Sequence, residues 1–128
     1  MKFIMFKDQW IDPILLGTKV QTVRPPRKIP IAVGDALSLR VWTGRPYASK
    51  QRTLLETHCT SVCEIAIDYG GIVKEPDKKF GQRMGSRLSV EDGERFARRD
   101  GFANFAEMCV FFGKMHGLPF RGVAISWN

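Results

Sequence analysis

Gly17-Thr18-Lys19-Val20-Gln21-Thr22-Val23-Arg24 reads as a helix stop followed by a short strand. Glycine tolerates the positive φ that ends a helix, and Gln21 to Arg24 is strand-like up to the break at Pro25-Pro26. A period of two puts Thr22 and Arg24 on one face and turns Val23 to the core, while Lys19 at the start of the strand reaches back over the Thr22 and Arg24 face. Two cations and a hydroxyl then converge. Such a group binds a phosphate, with Arg24 as the forked donor and Lys19 as the point charge. It can also activate Thr22 as a nucleophile if desolvation holds Lys19 neutral. An ordinary exposed edge strand with one basic face carries the same pattern.

Toward the N-terminus, Lys2 to Phe6 reads as a strand. Asp8 is a candidate N-cap for a short helix carrying Trp10, Ile11, Ile14 and Leu15. Pro13 either sits in the first turn of a helix starting near Asp12 or bends it. Downstream, Val33-Gly34-Asp35 is a turn leading into Ala36 to Trp42, whose alternation sends Leu37, Leu39 and Val41 one way. A basic loop, Gly44 to Arg52, precedes one long strand ending at Ile67, and Tyr69-Gly70-Gly71 turns the chain. Residues 74–88 are hydrophilic without a clear period and read as a long flexible loop. Ser89 with Asp92, and Asn104 with Glu107, are capping pairs that open two helices separated by Asp100-Gly101-Phe102. The second helix runs through His116 to a stop at Gly117-Leu118-Pro119, and Gly122 to Trp127 closes the chain as a strand. Short strands with Gly and Pro turns and two or three helices predict a single α+β domain over residues 1–128, built on a small curved sheet or barrel.

Composition agrees with one domain: 128 residues, 44% of them hydrophobic and 26% charged, supply one core. No run approaches the roughly 18 apolar residues of a membrane span, and the first residues lack a signal peptide's apolar stretch, so a cytoplasmic protein without membrane partners is expected. The net charge is +7, and its distribution is uneven. Residues 1–52 hold ten basic side chains against three acids, whereas residues 53–128 hold ten of each. The whole excess therefore lies in the N-terminal two-fifths, which favours nucleic acid or a nucleotide as partner over a merely solvated surface.

Three cysteines at unpatterned spacing indicate reduced thiols rather than a disulfide framework. His58, Cys59 and Cys63 suggest zinc at first sight. In an extended strand, however, Cys59 and Cys63 stand about 13 Å apart at ~3.3 Å per residue, too far for one tetrahedral ion. Neither a metal nor another cofactor is expected.

The order of these pieces resembles the ASCH domain family, relatives of the PUA RNA-binding domains. The carriers are the helix ending Ile14-Leu15-Leu16-Gly17, then Lys19 to Arg24 in place of the family's G-x-K-T-x-T-x-R, then Val33 to Leu39 in place of its G-D-x-L strand start. Asp100-Gly101-Phe102 with Phe105-Ala106-Glu107 matches the late acid-G-F segment, and an aromatic closing strand completes it. The resemblance covers nearly the whole chain. Val20 stands where many members have Thr. It implies a PUA-like β-barrel of five to six strands with peripheral helices and a cleft lined by the Lys-Thr-Arg strand. It also implies binding of RNA or of a nucleotide or modified base, and some small members resemble amidohydrolases that deacylate N4-acetylcytidine with a lysine, a threonine and a carboxylate. Carried over, these fall on Lys19, Thr22 and Asp100, an aspartate where glutamate is usual. Ribonuclease activity is a further possibility within the family, although the chain shows no obvious histidine pair for it.

For binding, Lys19, Arg24, Arg27, Lys28, Arg45, Lys50 and Arg52 supply charge, and Trp42 and Tyr47 supply a stacking surface of the kind single-stranded nucleic acids use. Trp42 equally suits the core. His58 and His116 have no recognisable partners, and His116 at a helix end is expected to meet the terminal carbonyls. Phe102, Phe105, Phe111 and Phe112 are expected in the core, and Arg98 and Arg99 extend a basic rim or solvate their helix.

Overall fold

The alternation in Ala36 to Trp42 builds the central strand of a three-stranded sheet, with Leu37, Leu39 and Val41 buried on its inner face. The computed structural model describes residues 1–75 and 85–127. In it, β1 (Lys2–Phe6) runs parallel to β3 (Ala36–Trp42), and β4 (Gln51–His58) runs antiparallel to it on the other side. The register sets Ile4 beside Leu39 and Phe6 beside Val41 in the core, while Phe3 pairs with Ser38 and Met5 with Arg40 on the outer face.

A second, antiparallel sheet has the order β2 (Gln21–Arg24), β8 (Phe120–Ser126), β5 (Ser61–Asp68), β6 (Gly71–Lys74), β7 (Ser86–Arg87). The described residues thus hold eight strands in two sheets, more than the five or six expected. Among them no backbone ladder joins the sheets. Side chains bridge instead. Arg24 Nη2 donates to the Met5 carbonyl at 2.7 Å, Arg27 Nη1 donates to the Phe3 carbonyl at 3.3 Å, and on another side Thr57 Oγ1 donates to the Trp127 carbonyl at 3.2 Å.

Three expectations change. The long strand ending at Ile67 is two strands in different sheets, broken at Cys59-Thr60, where Cys59 N–H donates to Asp35 O and Thr60 N–H to Ser126 O. These backbone bonds redirect the chain, so Cys59 and Cys63 do not share one continuous strand. The hydrophilic stretch 74–88 is ordered at its ends: Lys74 closes β6 and Ser86-Arg87 forms β7, anchored by a bidentate Arg87–Asp68 pair, while residues 76–84 lie outside the described residues. Asp8 does not cap a helix with its side chain; it opens a 3-10 turn, Asp8–Trp10, ahead of α1 (Ile11–Leu16). Pro13 occupies the first turn of α1, and Gly17 ends it at φ +80°.

The two later helices form where their caps indicate. Ser89 Oγ accepts the Asp92 N–H at the start of α2 (Val90–Arg99), and Asn104 Oδ1 accepts the Glu107 N–H at the start of α3 (Phe105–Met115). Phe102 and Phe112 are buried and Phe105 and Phe111 half-buried. Trp10 meets Phe102 edge-on at 5.2 Å and Phe111 at 6.1 Å, an aromatic layer that ties the N-terminal turn to α3. Gly101, at φ +96°, allows this approach, because a Cβ there would stand 2.7 Å from the Trp10 ring. Among the described residues no helix is long and apolar enough to cross a membrane.

Candidate functional site

The helix stop at Gly17 fixes the backbone of Lys19. Near the end of α1 the Pro13 carbonyl accepts the N–H groups of Thr18 and Lys19 as well as that of Gly17, and Val20 N–H donates to Arg99 O at the end of α2. Lys19 is thereby turned inward and is only 2% exposed. Its Nζ donates to the backbone carbonyl of Asp100 at 2.5 Å, lies 3.8 Å from Asp100 Oδ2, and stands 4.3 Å from the centre of the Trp10 ring. Asp100 is the C-cap of α2, so the ammonium satisfies a terminal carbonyl and complements the negative end of the helix dipole.

Asp100 is itself 2% exposed. Gln21 Nε2 spans 3.4 Å to Asp100 Oδ1 and 3.4 Å to Phe96 O. Burial pushes Lys19 down from its ordinary 10.5 to about 8, an effect that Asp100 opposes and Arg24 reinforces. The same burial pushes the Asp100 carboxyl up. Both groups are drawn toward neutrality by desolvation, and each opposes that shift in the other.

Thr22 is buried, and its Oγ1 accepts Arg24 Nε at 3.1 Å. No hydrogen bond joins Thr22 to Lys19 among the described residues. Arg24, whose guanidinium carbon lies 4.8 Å from the Phe6 ring centre, donates from Nε to Thr22 and from Nη2 to Met5, and among the described residues Nη1 makes no hydrogen bond.

Lys19, Thr22, Arg24 and Asp100 line one cleft of about 320 Å³. Trp42, Tyr47, Phe111 and His116 line the same cleft. Trp42 and Tyr47 meet at 5.2 Å with planes inclined by 49°. Tyr47 is 92% exposed and holds a left-handed backbone, φ +62°, which is unusual for a side chain of its size.

The remaining basic candidates divide. Arg45 and Lys50 are exposed on the connection between β3 and β4, whereas Arg52, expected in that basic loop, is exposed on β4 itself and pairs with Val41; none of the three lines the cleft. Arg27 and Lys28 are exposed on the segment after β2, with Arg27 at the edge of β1. His116 does not meet helix carbonyls with its ring; it stacks on Phe120 at 4.5 Å and faces the cleft beside Phe112, because the chain after α3 returns directly under it. His58 is exposed on β4, Arg98 is exposed, and Arg99 is half-buried on another side of α2.

Gln21, Trp10 and Phe6 are parts of the site that sequence reasoning passed over. Gln21 precedes the marked Thr22 and carried a signal, a polar residue on the face assigned to the core. Trp10 and Phe6 looked like ordinary core residues, and their contacts with Lys19 arise only from packing. Among the described residues no group of three or more His, Cys, Asp or Glu side chains is arranged to hold a metal ion. No protein-family model, curated protein or solved structure matches the chain.

Proposed function

We propose that the chain is an ASCH-type, PUA-like module, its two sheets being the two parts of the barrel, and that its cleft takes a single nucleobase or nucleoside, free or presented by RNA. One observation carries this reading: a single cleft combines a cationic, hydroxyl-bearing floor (Lys19, Thr22, Arg24) with an aromatic rim of half-buried Trp42 and exposed Tyr47. The floor suits the polar edge of a base or a phosphate, and the rim suits its face. At about 320 Å³ the space is at the small end for a small-molecule site and fits one base, not a duplex. Calorimetry with nucleosides and short single strands tests it: binding that weakens with salt for the charged ligands, and that Arg24→Ala reduces, is expected. Binding to neither class overturns it.

A second reading is favoured by one observation, the burial of Lys19 beside Asp100, which brings the amine to about 8. In this reading the cleft hydrolyses an N4-acylated cytidine without a cofactor. Neutral Lys19 accepts the Thr22 proton as Oγ1 attacks the acyl carbon, and Arg24, already donating to Oγ1, faces the developing oxyanion. The Lys19 ammonium then returns the proton to the departing amine, and water hydrolyses the acyl-Thr22 ester to the free acid. Asp100 keeps the amine in place. Incubation with N4-acetylcytidine decides: turnover by wild type that both Lys19→Ala and Thr22→Ala abolish supports this chemistry, and turnover that survives them locates the reaction elsewhere.

A further inference from the structure

We infer that the outer face of the β1–β3–β4 sheet is a stacking subsite for the nucleotide adjacent to the one in the cleft, so that the cleft's base arrives within a single-stranded polynucleotide. This rests on the cleft being a nucleobase site. The register places Phe3 and Met5 on the same face as Arg40. Period two along β3 adds Trp42 to that face. Met5 and Trp42 line the cleft, so Arg40 and Phe3 are the next positions along a continuous surface. Two residues along a strand advance about 7 Å, a distance one extended nucleotide step can cover.

Arg40 is built as a platform. Its guanidinium lies 3.7 Å from the centre of the Phe3 ring, while Nε donates to Ser38 Oγ at 2.8 Å and Nη1 to Gln51 Oε1 at 3.1 Å. Those contacts hold a planar cation over an aromatic ring that is itself 45% exposed. Unpaired bases stack on aromatic rings and on guanidinium planes alike. Arg27, bonded to the Phe3 carbonyl, adds a cation at the same edge, where a phosphate of the strand would pass. The register sets one acid on this face, Glu56 opposite Ser38, one step beyond Arg40 from the cleft. The charge therefore favours a polyanion from the cleft to Phe3.

The test measures affinity for a single nucleoside and for an eight-nucleotide oligouridylate, with the DNA counterpart as a second arm, in Phe3→Ala, Phe3→Trp, Arg40→Gln and Arg40→Lys. Phe3→Ala and Arg40→Gln should each weaken oligonucleotide binding by roughly tenfold while nucleoside affinity stays at the wild-type value. Phe3→Trp should restore binding, which separates stacking from folding damage. Arg40→Lys keeps the charge but loses the plane, and is expected to behave like Arg40→Gln. Wild-type oligonucleotide affinity in Phe3→Ala, or in Arg40→Lys, overturns the inference. Wild-type protein that binds the oligonucleotide but no nucleoside, with the losses still present, retains the platform and sinks the nucleobase reading of the cleft instead. A protein that binds no oligonucleotide sinks the platform. Equal losses on RNA and DNA support the platform as reading stacking alone, and losses confined to RNA support it with a contact to the 2′-hydroxyl.

Discussion

The ammonium of Lys19 meets the backbone carbonyl of Asp100 more closely than its carboxylate: Nζ lies 2.5 Å from the carbonyl oxygen and 3.8 Å from Oδ2. A main-chain partner does not titrate. It keeps the amine in place whether or not the carboxyl is charged, and leaves the carboxyl for Gln21.

The first prediction concerns pH. The folded value of Lys19, about 8, is below its ordinary 10.5, so between these values the unfolded chain binds the proton that the folded chain has released. This linkage adds stability that is complete above 10.5 and is lost as pH falls toward 8. In an NMR titration, the side-chain resonance missing from Lys19→Arg should move with a midpoint near 8; a midpoint at 10.5 contradicts the burial argument. Any turnover that uses neutral Lys19 should rise through the same region.

Gln21→Leu removes the side-chain donor to Asp100 Oδ1 and leaves a buried oxygen without it. Denaturant unfolding should show a loss of about 1–3 kcal/mol, and the Asp100 carboxyl should move further up. A loss within measurement error contradicts the hydrogen bond.

Gly101→Ala combines a left-handed backbone with a Cβ 2.7 Å from the Trp10 ring. The buried ring packs edge-on against both Phe102 and Phe111, which also touch each other. A destabilisation of about 3 kcal/mol is expected from overpacking and backbone strain together, read from the denaturation midpoint. Because the same Cβ meets Lys19 Cβ at 3.3 Å, the Lys19 titration should change as well.

Tyr47→Gly separates stability from binding. Glycine adopts φ +62° freely and the tyrosine ring is almost wholly exposed, so stability should hold or rise by up to about 1 kcal/mol. Nucleoside affinity should fall by about 1–3 kcal/mol as the ring is lost. Unchanged affinity would remove Tyr47 from the rim.

Local chemistry made much of the fold legible. The Ser89 and Asn104 caps, the Gly17 stop and the Ala36–Trp42 alternation each act over a few residues and appear where the spacing puts them. The break at Cys59-Thr60 was not legible, because no Gly or Pro marks it; bonds to Asp35 and Ser126, distant in sequence, redirect the chain. Lys19, Thr22 and Arg24 stood out because three polar functions share a short strand, and Asp100 was reached through the resemblance. The Trp10 and Gln21 contacts with Lys19 and Asp100 and the stacking of His116 on Phe120 depend on which surfaces pack together, information that local spacing does not hold.

The arginines that bridge the sheets also shield the chain from its own copies. β1 ends its sheet, and an end strand with unpaired carbonyls is a template on which a foreign strand can grow. Arg24 and Arg27 occupy the Met5 and Phe3 carbonyls, replacing a sticky backbone edge with two cations that repel the same edge of a neighbouring molecule. Part of the positive charge concentrated in residues 1–52 is therefore engaged with the backbone of an end strand, independently of any ligand.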